Sequence, residues 1–273
     1  MFARVLGRTL VIILGSLLVV EVVIGALVIG SHGDIGVDFR FYRDLAARWM
    51  ADGTYFQPYQ LEGPYVSTSL VDTFYPPIAL LLFVPFLVLP AFLWWLTPIV
   101  VLAYVIASWR PNFWAIALMI ALMMWVRAFG AFLWGNTDMW LVAAVAAGLR
   151  WGWPAALIAI KPSVLPFILV GTRSRSFWIA TAAVVLVSIP MWELWRDWVI
   201  AIRNMDLRLD YSLGSVTLYL VPVVAWFGRR RAIGEPISTV RPSLPNLRSQ
   251  ALRRPARPLR SPASPARPRS GSG

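Results

Sequence analysis

Residues 10–30 form an unbroken apolar run of 21 residues that carries one charge, Glu21. About 20 such residues span the hydrocarbon of a bilayer as a helix, and the core of a secretory leader is shorter, so the run is read as an uncleaved first membrane helix. Backbone polar groups in hydrocarbon must be paired internally, which for runs of this kind means helices. Further apolar runs follow at 75–89, 91–108, 113–129, 137–149, 154–171, 177–194 and 214–227. With the first, they make about eight membrane segments. Pro85, Pro98, Pro162, Pro166 and Pro190 interrupt them, which membrane bundles tolerate when neighbours satisfy the freed groups. The chain is 59% hydrophobic and 14% charged, more apolar than one soluble core can hide. The expectation is an all-α, polytopic membrane protein, with residues 1–233 as the membrane domain.

The formal net charge of +12 suggests a nucleic-acid binder until the arginines are placed. Eleven of them lie between Arg229 and Arg269 with a single acid, Glu235, leaving the rest of the chain near neutrality. Nucleic acid is therefore not an expected partner; membrane lipids are. Residues 234–273 are rich in Arg, Pro and Ser without apolar periodicity, and read as a disordered tail. The absence of cysteine excludes disulfides and thiolate metal sites, and the lone His32 excludes a multi-histidine centre. Arg4 and Arg8 precede the first helix, so the positive-inside bias puts the N-terminus in the cytoplasm and the loop 31–74 outside.

That loop begins with "GVDFRFYRDLAARWMADG", residues 36–53, holding three aspartates and three arginines. As a helix it places Phe41, Tyr42, Leu45, Ala46, Trp49 and Met50 on one face, with Arg40, Arg43, Asp44, Ala47 and Arg48 on the other. This describes a helix lying in the membrane interface. Asp38 falls at or near the N-cap, where its carboxylate is expected to be ionised, and Gly53 marks the C-terminal stop. Downstream, "DGTYFQPYQ" leads into "FYPPIALLLFVPF", where Pro76 and Pro77 open a membrane helix.

The order of these pieces, together with "GNTDMWLVAAVAAGLRWGWPAALIAIKPSVLPFILVG" at 135–171, resembles the GT-C glycosyltransferases. The resemblance is to the polyprenyl-phosphate-mannose-dependent mannosyltransferases of glycosyltransferase family 87, and it covers residues 9–228. It implies a GT-C-like bundle and an inverting transfer of a hexose, mannose in that family. The donor is a polyprenyl-phosphate-linked sugar, the acceptor a glycolipid or cell-envelope glycan, and the place the outer face of the plasma (inner) membrane. It makes Asp38 the general base, with Asp34 in "SHGDIGVD" as the competing candidate. The family's chains usually continue with more helices where this one turns basic, so the resemblance also implies a shortened C-terminus.

The chemistry suits these residue types. A hydroxyl attacking an anomeric carbon must lose its proton, which a carboxylate in hydrogen-bond reach can accept. The departing lipid phosphate needs cations, and Arg40, Arg43 and Arg48 fall near headgroup depth. No nucleotide cofactor is called for, and a divalent metal is left open. Lys161, the one lysine in the chain, sits in an apolar segment and requires a partner such as Asp138, a phosphate or a helix end; the bland alternative is snorkelling to an interface. Tyr42 and Tyr75 flank the acidic loop as pocket residues, whereas Trp94, Trp95, Trp109 and Trp151 fall at membrane ends as an aromatic belt. Two rivals remain: a catalytically incomplete relative of the family, and a small lipid or solute transporter, for which broken helices in two related halves are expected.

Overall fold

The computed structural model describes residues 2–66, 72–206 and 216–230. The reading of 234–273 as a disordered tail falls outside the described residues. The structure is mostly helical, and its described residues hold no strand, only isolated bridges such as Pro111 with Arg229.

Helix α1 (Phe2–Ser31) has 30 residues, about 45 Å at 1.5 Å per residue. Its apolar side chains stay outside the protein, Leu27 at 69% exposure, as expected where lipid is the solvent. Two further helices are long and apolar enough to cross a membrane. One is α5 (Phe92–Trp109). The other is the 30-residue rod Arg175–Asn204, built from α9 (Arg175–Ser188), a 3-10 turn at Ile189–Met191 and α10 (Trp192–Asn204). A fourth span arises if α6 (Phe113–Met123) and α7 (Val126–Trp134) count as one, bent by 66°.

Three or four long helices replace the expected eight, and the reason is length. The 75–89 run forms only α4 (Pro77–Leu87), a short mixed 3-10 and α segment with Ile78, Ala79, Leu80 and Phe83 buried. The 137–149 run becomes α8 (Asp138–Trp151), 14 residues or about 21 Å, and the 214–227 run becomes α11 (Val216–Phe227) of 12 residues. Neither reaches across about 30 Å of hydrocarbon alone. The 154–171 run is not an α-helix. It folds as two 3-10 arms, Trp153–Ile160 and Pro162–Val170, joined at Lys161. Pro154, Pro162 and Pro166 each remove a backbone donor there. The arms close as a hairpin: a Cβ on Gly171 would lie 2.7 Å from both Ala155 Cβ and Gly152 O.

Contacts between helix ends order the path. At one end Gly7 meets Phe113, Asn112 donates backbone and side-chain N–H to Gly228 O, and Arg150 donates to Ser108 Oγ at 2.5 Å. At the other end Gly36 N–H donates to Leu133 O at 2.8 Å, and Trp94 Nε1 to Gly135 O at 2.7 Å. Helix α1 and the α6–α7 pair therefore run the same way, with α5 and α8 opposed. Gly25 lets α1 approach α7 closely, because a Cβ there would sit 2.0 Å from Phe129 Cε1. The ends differ in charge. Arg8, Arg110, Arg150, Arg175, Arg229 and Arg230 occupy the first, whereas every described acid except Glu21 within α1 lies at the second.

The second end carries a platform. Helix α3 (Pro58–Glu62) has a capping box between Gln57 and Gln60. Gln60 is fully buried, its amide donating to Tyr65 Oη and Thr73 O. Tyr65 N–H donates to Asn204 O at 3.0 Å and Trp198 Nε1 to Phe74 O at 3.1 Å, tying this loop to α10.

Candidate functional site

Helix α2 (Val37–Asp52) forms on the platform side as its sequence requires. Gly53, at φ 79°, ends it with an N–H bond to Trp49 O. Its N-cap is Gly36, at φ 71°, so Asp38 is the second helical residue rather than the cap. The buried stripe is Phe39, Tyr42, Leu45 and Ala46, with Met50 at 59% exposure. The expected face was 41, 42, 45, 46, 49 and 50; the observed one is turned toward the N-terminal residues because Phe39 is the anchor. Its ring lies 5.3 Å from those of Trp94 and Trp95 and 6.1 Å from Phe86. That rotation carries Asp38 toward the bundle.

Asp38 Oδ2 accepts a 2.7 Å hydrogen bond from Asn136 Nδ2. Asn136 sits in the turn between α7 and α8, whose side is thereby fixed as the side of Asp38. Its Oδ1 accepts the Asp138 backbone N–H at 3.0 Å, which sets the amide's orientation. Burial raises the proton affinity of Asp38 above the ordinary carboxylate value, the Asn136 bond and the Lys161 charge partly offset this, and Asp138 adds to it. Asp38 is half-buried, near the N-cap as expected, and its proton affinity lies above the ordinary carboxylate value.

Asp138, 2% exposed, pairs with Lys161 at 2.5 Å and accepts from Tyr219 Oη at 2.6 Å. The hairpin tip thus delivers the lysine to the first turn of α8, and snorkelling is not its solution. A chain of hydroxyls runs alongside: Tyr42 Oη to Tyr75 Oη at 3.0 Å, then Tyr75 Oη to Thr137 Oγ1 at 2.7 Å. Burial pushes both tyrosines up, so they remain protonated through the neutral range. Tyr42 stacks on Phe83 at 4.6 Å, which holds the chain's outer end.

The structure brings Asp38, Tyr42, Tyr75, Asp138 and Lys161 together and leaves the other candidates aside. Asp34 is exposed in the turn before α2, its carbonyl accepting from Val37 N–H. Arg40 spends its guanidinium on Ile35 O and Gly33 O, and Arg48 on Thr54 O and Tyr55 O. Arg43 is exposed. The cation of the cluster is Lys161, not an arginine. Asn136, Thr137 and Tyr219 were missed; their only sequence signal is a polar group set in apolar surroundings. Trp94, assigned to the aromatic belt, is wholly buried instead, with its indole N–H on the α7–α8 turn.

No three or more His, Asp or Glu among the described residues are grouped to hold a metal ion. Two pockets of about 400 and 350 Å³ lie along the platform beside α10, and Asp38 lines neither. The cluster is a hydrogen-bonded polar seam. Asp38 Oδ1 has no hydrogen-bond partner among the described residues and is the group available to take a proton.

The α7–α8 turn positions this seam and depends on Gly135. At φ 73°, with a Cβ only 2.8 Å from Trp95 Cζ2 and 3.1 Å from Phe39 Cβ, the position penalises any side chain. Gly135→Ala is expected to cost about 1–3 kcal/mol, read as a lower thermal midpoint in detergent; an unchanged midpoint would contradict the assigned backbone. No protein-family profile, no curated protein and no solved structure matches this chain.

Proposed function

We propose that the chain is a membrane glycosyltransferase of GT-C-like architecture. It moves a hexose, mannose by its resemblance to family 87, from a polyprenyl-phosphate donor to a glycolipid or glycan hydroxyl. The observation that carries this reading is Asp38: a carboxyl of raised proton affinity at the platform end of a membrane bundle, oriented through one oxygen and free on the other. The acceptor O–H gives its proton to Asp38, its oxygen bonds to the anomeric carbon from the face opposite the leaving group, and the carbon–phosphate oxygen bond breaks. The anomeric centre inverts, and the prenyl phosphate leaves with the bonding electron pair. Lys161 is the cation nearest this chemistry. The described residues of the opposite end carry arginines without acids, which supports an orientation with that end cytoplasmic and Asp38 outside, in a plasma (inner) membrane.

Full-length protein in liposomes, given a labelled mannosyl prenyl phosphate and a glycolipid acceptor, is expected to yield labelled acceptor. Donor consumption no greater than in empty liposomes overturns the reading. The free-enzyme pH profile supplies a second measurement. Because burial raises the proton affinity of Asp38, the acid limb should lie above the ordinary carboxylate range, with activity lost as pH falls through it. Asn136→Ala removes a bond that favours the carboxylate, so the limb should move to still higher pH; a limb that stays in place argues against Asp38 as the base. The transporter reading draws on two observations, the broken backbone at Lys161 and the bent α6–α7 pair, and predicts solute uptake without donor turnover.

A further inference from the structure

At the basic end, two arginines from opposite ends of the described chain lie against one ring. The Arg8 guanidinium carbon lies 5.5 Å from the Phe113 centroid, and that of Arg230 lies 5.7 Å from it. Two like charges are thereby held within the sum of those distances of each other. Neither guanidinium hydrogen-bonds within the described residues, and no described acid lies at this end. An anion between them would be attracted by both, and a guanidinium offers five N–H donors in a geometry that fits phosphate oxygens. The surroundings are amphiphilic: Trp114 is 50% and Phe227 75% exposed, and Arg229 stacks on Trp226 at 4.0 Å. A soluble anion has no use for those apolar surfaces, whereas a phospholipid fills both requirements.

We propose that Arg8 and Arg230, converging on Phe113 at the basic end of the bundle, form a binding site for the phosphate of an anionic phospholipid. The site is independent of the transfer reaction, and it clamps the start of α1 to the end of α11 through the lipid headgroup.

The test uses the full chain in detergent, titrated with dioctanoyl phosphatidylglycerol and, separately, dioctanoyl phosphatidylcholine. The R8Q/R230Q double variant is expected to lose about tenfold or more in affinity for the anionic lipid, with the zwitterionic lipid unchanged. R8K/R230K should retain most of the preference, and R253Q/R254Q, in the basic tail, should behave as the parent. Equal affinities for parent and R8Q/R230Q overturn the proposal, as does displacement of the lipid by equimolar glycerol phosphate, which would make the site one for free phosphate. If R8Q/R230Q fails to fold, the parent with a headgroup-photoreactive phosphatidylglycerol decides. Cross-links to peptides containing Arg8, Phe113 or Arg230 support the site, and cross-links confined to other peptides overturn it.

Discussion

Asp38→Asn is expected to lower the rate of sugar transfer by about 10²–10⁴-fold, with the KM for the prenyl-phosphate donor changed by no more than about threefold. Asparagine has the same shape, and its amide oxygen still accepts from Asn136 Nδ2, so α2 and the α7–α8 turn keep their register. What disappears is the proton acceptor. A loss in kcat without a loss in donor affinity is the pattern of a group that acts only as the bond forms. Asp34→Asn makes the companion measurement, because Asp34 is exposed and outside the hydrogen-bonded seam. It should remain within about threefold of the parent. Transfer by Asp38→Asn within tenfold of the parent removes Asp38 from the role of base, and a collapse confined to Asp34→Asn hands that role to the neighbouring acid.

Lys161→Met is expected to have the largest effect on stability. Asp138 is 2% exposed and its carboxylate faces the ammonium at 2.5 Å. Deleting the cation leaves a buried charge that still accepts from the Tyr219 hydroxyl but has lost its counter-ion. Breaking one side of such a pair costs about 3–5 kcal/mol, whereas replacing both sides by neutral groups costs far less. Lys161→Met combined with Asp138→Asn should therefore be more stable than Lys161→Met alone, a coupling of opposite sign to simple additivity. The same change has a signature at the site. Lys161 lowers the proton affinity of Asp38, so its removal should carry the acid limb of activity to higher pH. A Lys161→Met protein that melts with the parent and titrates like it would show that the pair contributes nothing to either.

Apolar runs announced a helical membrane protein because hydrocarbon allows few alternatives, and they placed both ends of α5 and the C-terminal end of α1 well, while α1 begins earlier than its apolar run. They overcounted the crossings because a hydropathy run measures only partition into lipid. The residues of α8 are apolar for a different reason: they are buried by protein, from Leu141 through Gly148 without interruption. The pairing of Lys161 with Asp138 was legible from a lone ammonium among aliphatic residues, since its desolvation must be offset. Asp38 was legible as an acid on a helix of the first loop, but its raised proton affinity was not. That depends on Phe39 seating between Trp94, Trp95 and Phe86, contacts formed by residues about 50 positions away. Arginines near Asp38 in sequence looked like phosphate ligands, yet local carbonyls left open at loop ends claimed Arg40 and Arg48 first.

The tight winding of the hairpin fixes its reach. At about 2.0 Å of rise per residue, the eight residues of Trp153–Ile160 extend about 4 Å farther than the same stretch would at the 1.5 Å of an α-helix. Relaxation into the looser coil would retract the tip by more than the length of a hydrogen bond. An alteration that let the arm rewind would therefore strand the carboxylate of α8 as surely as deleting the amine itself.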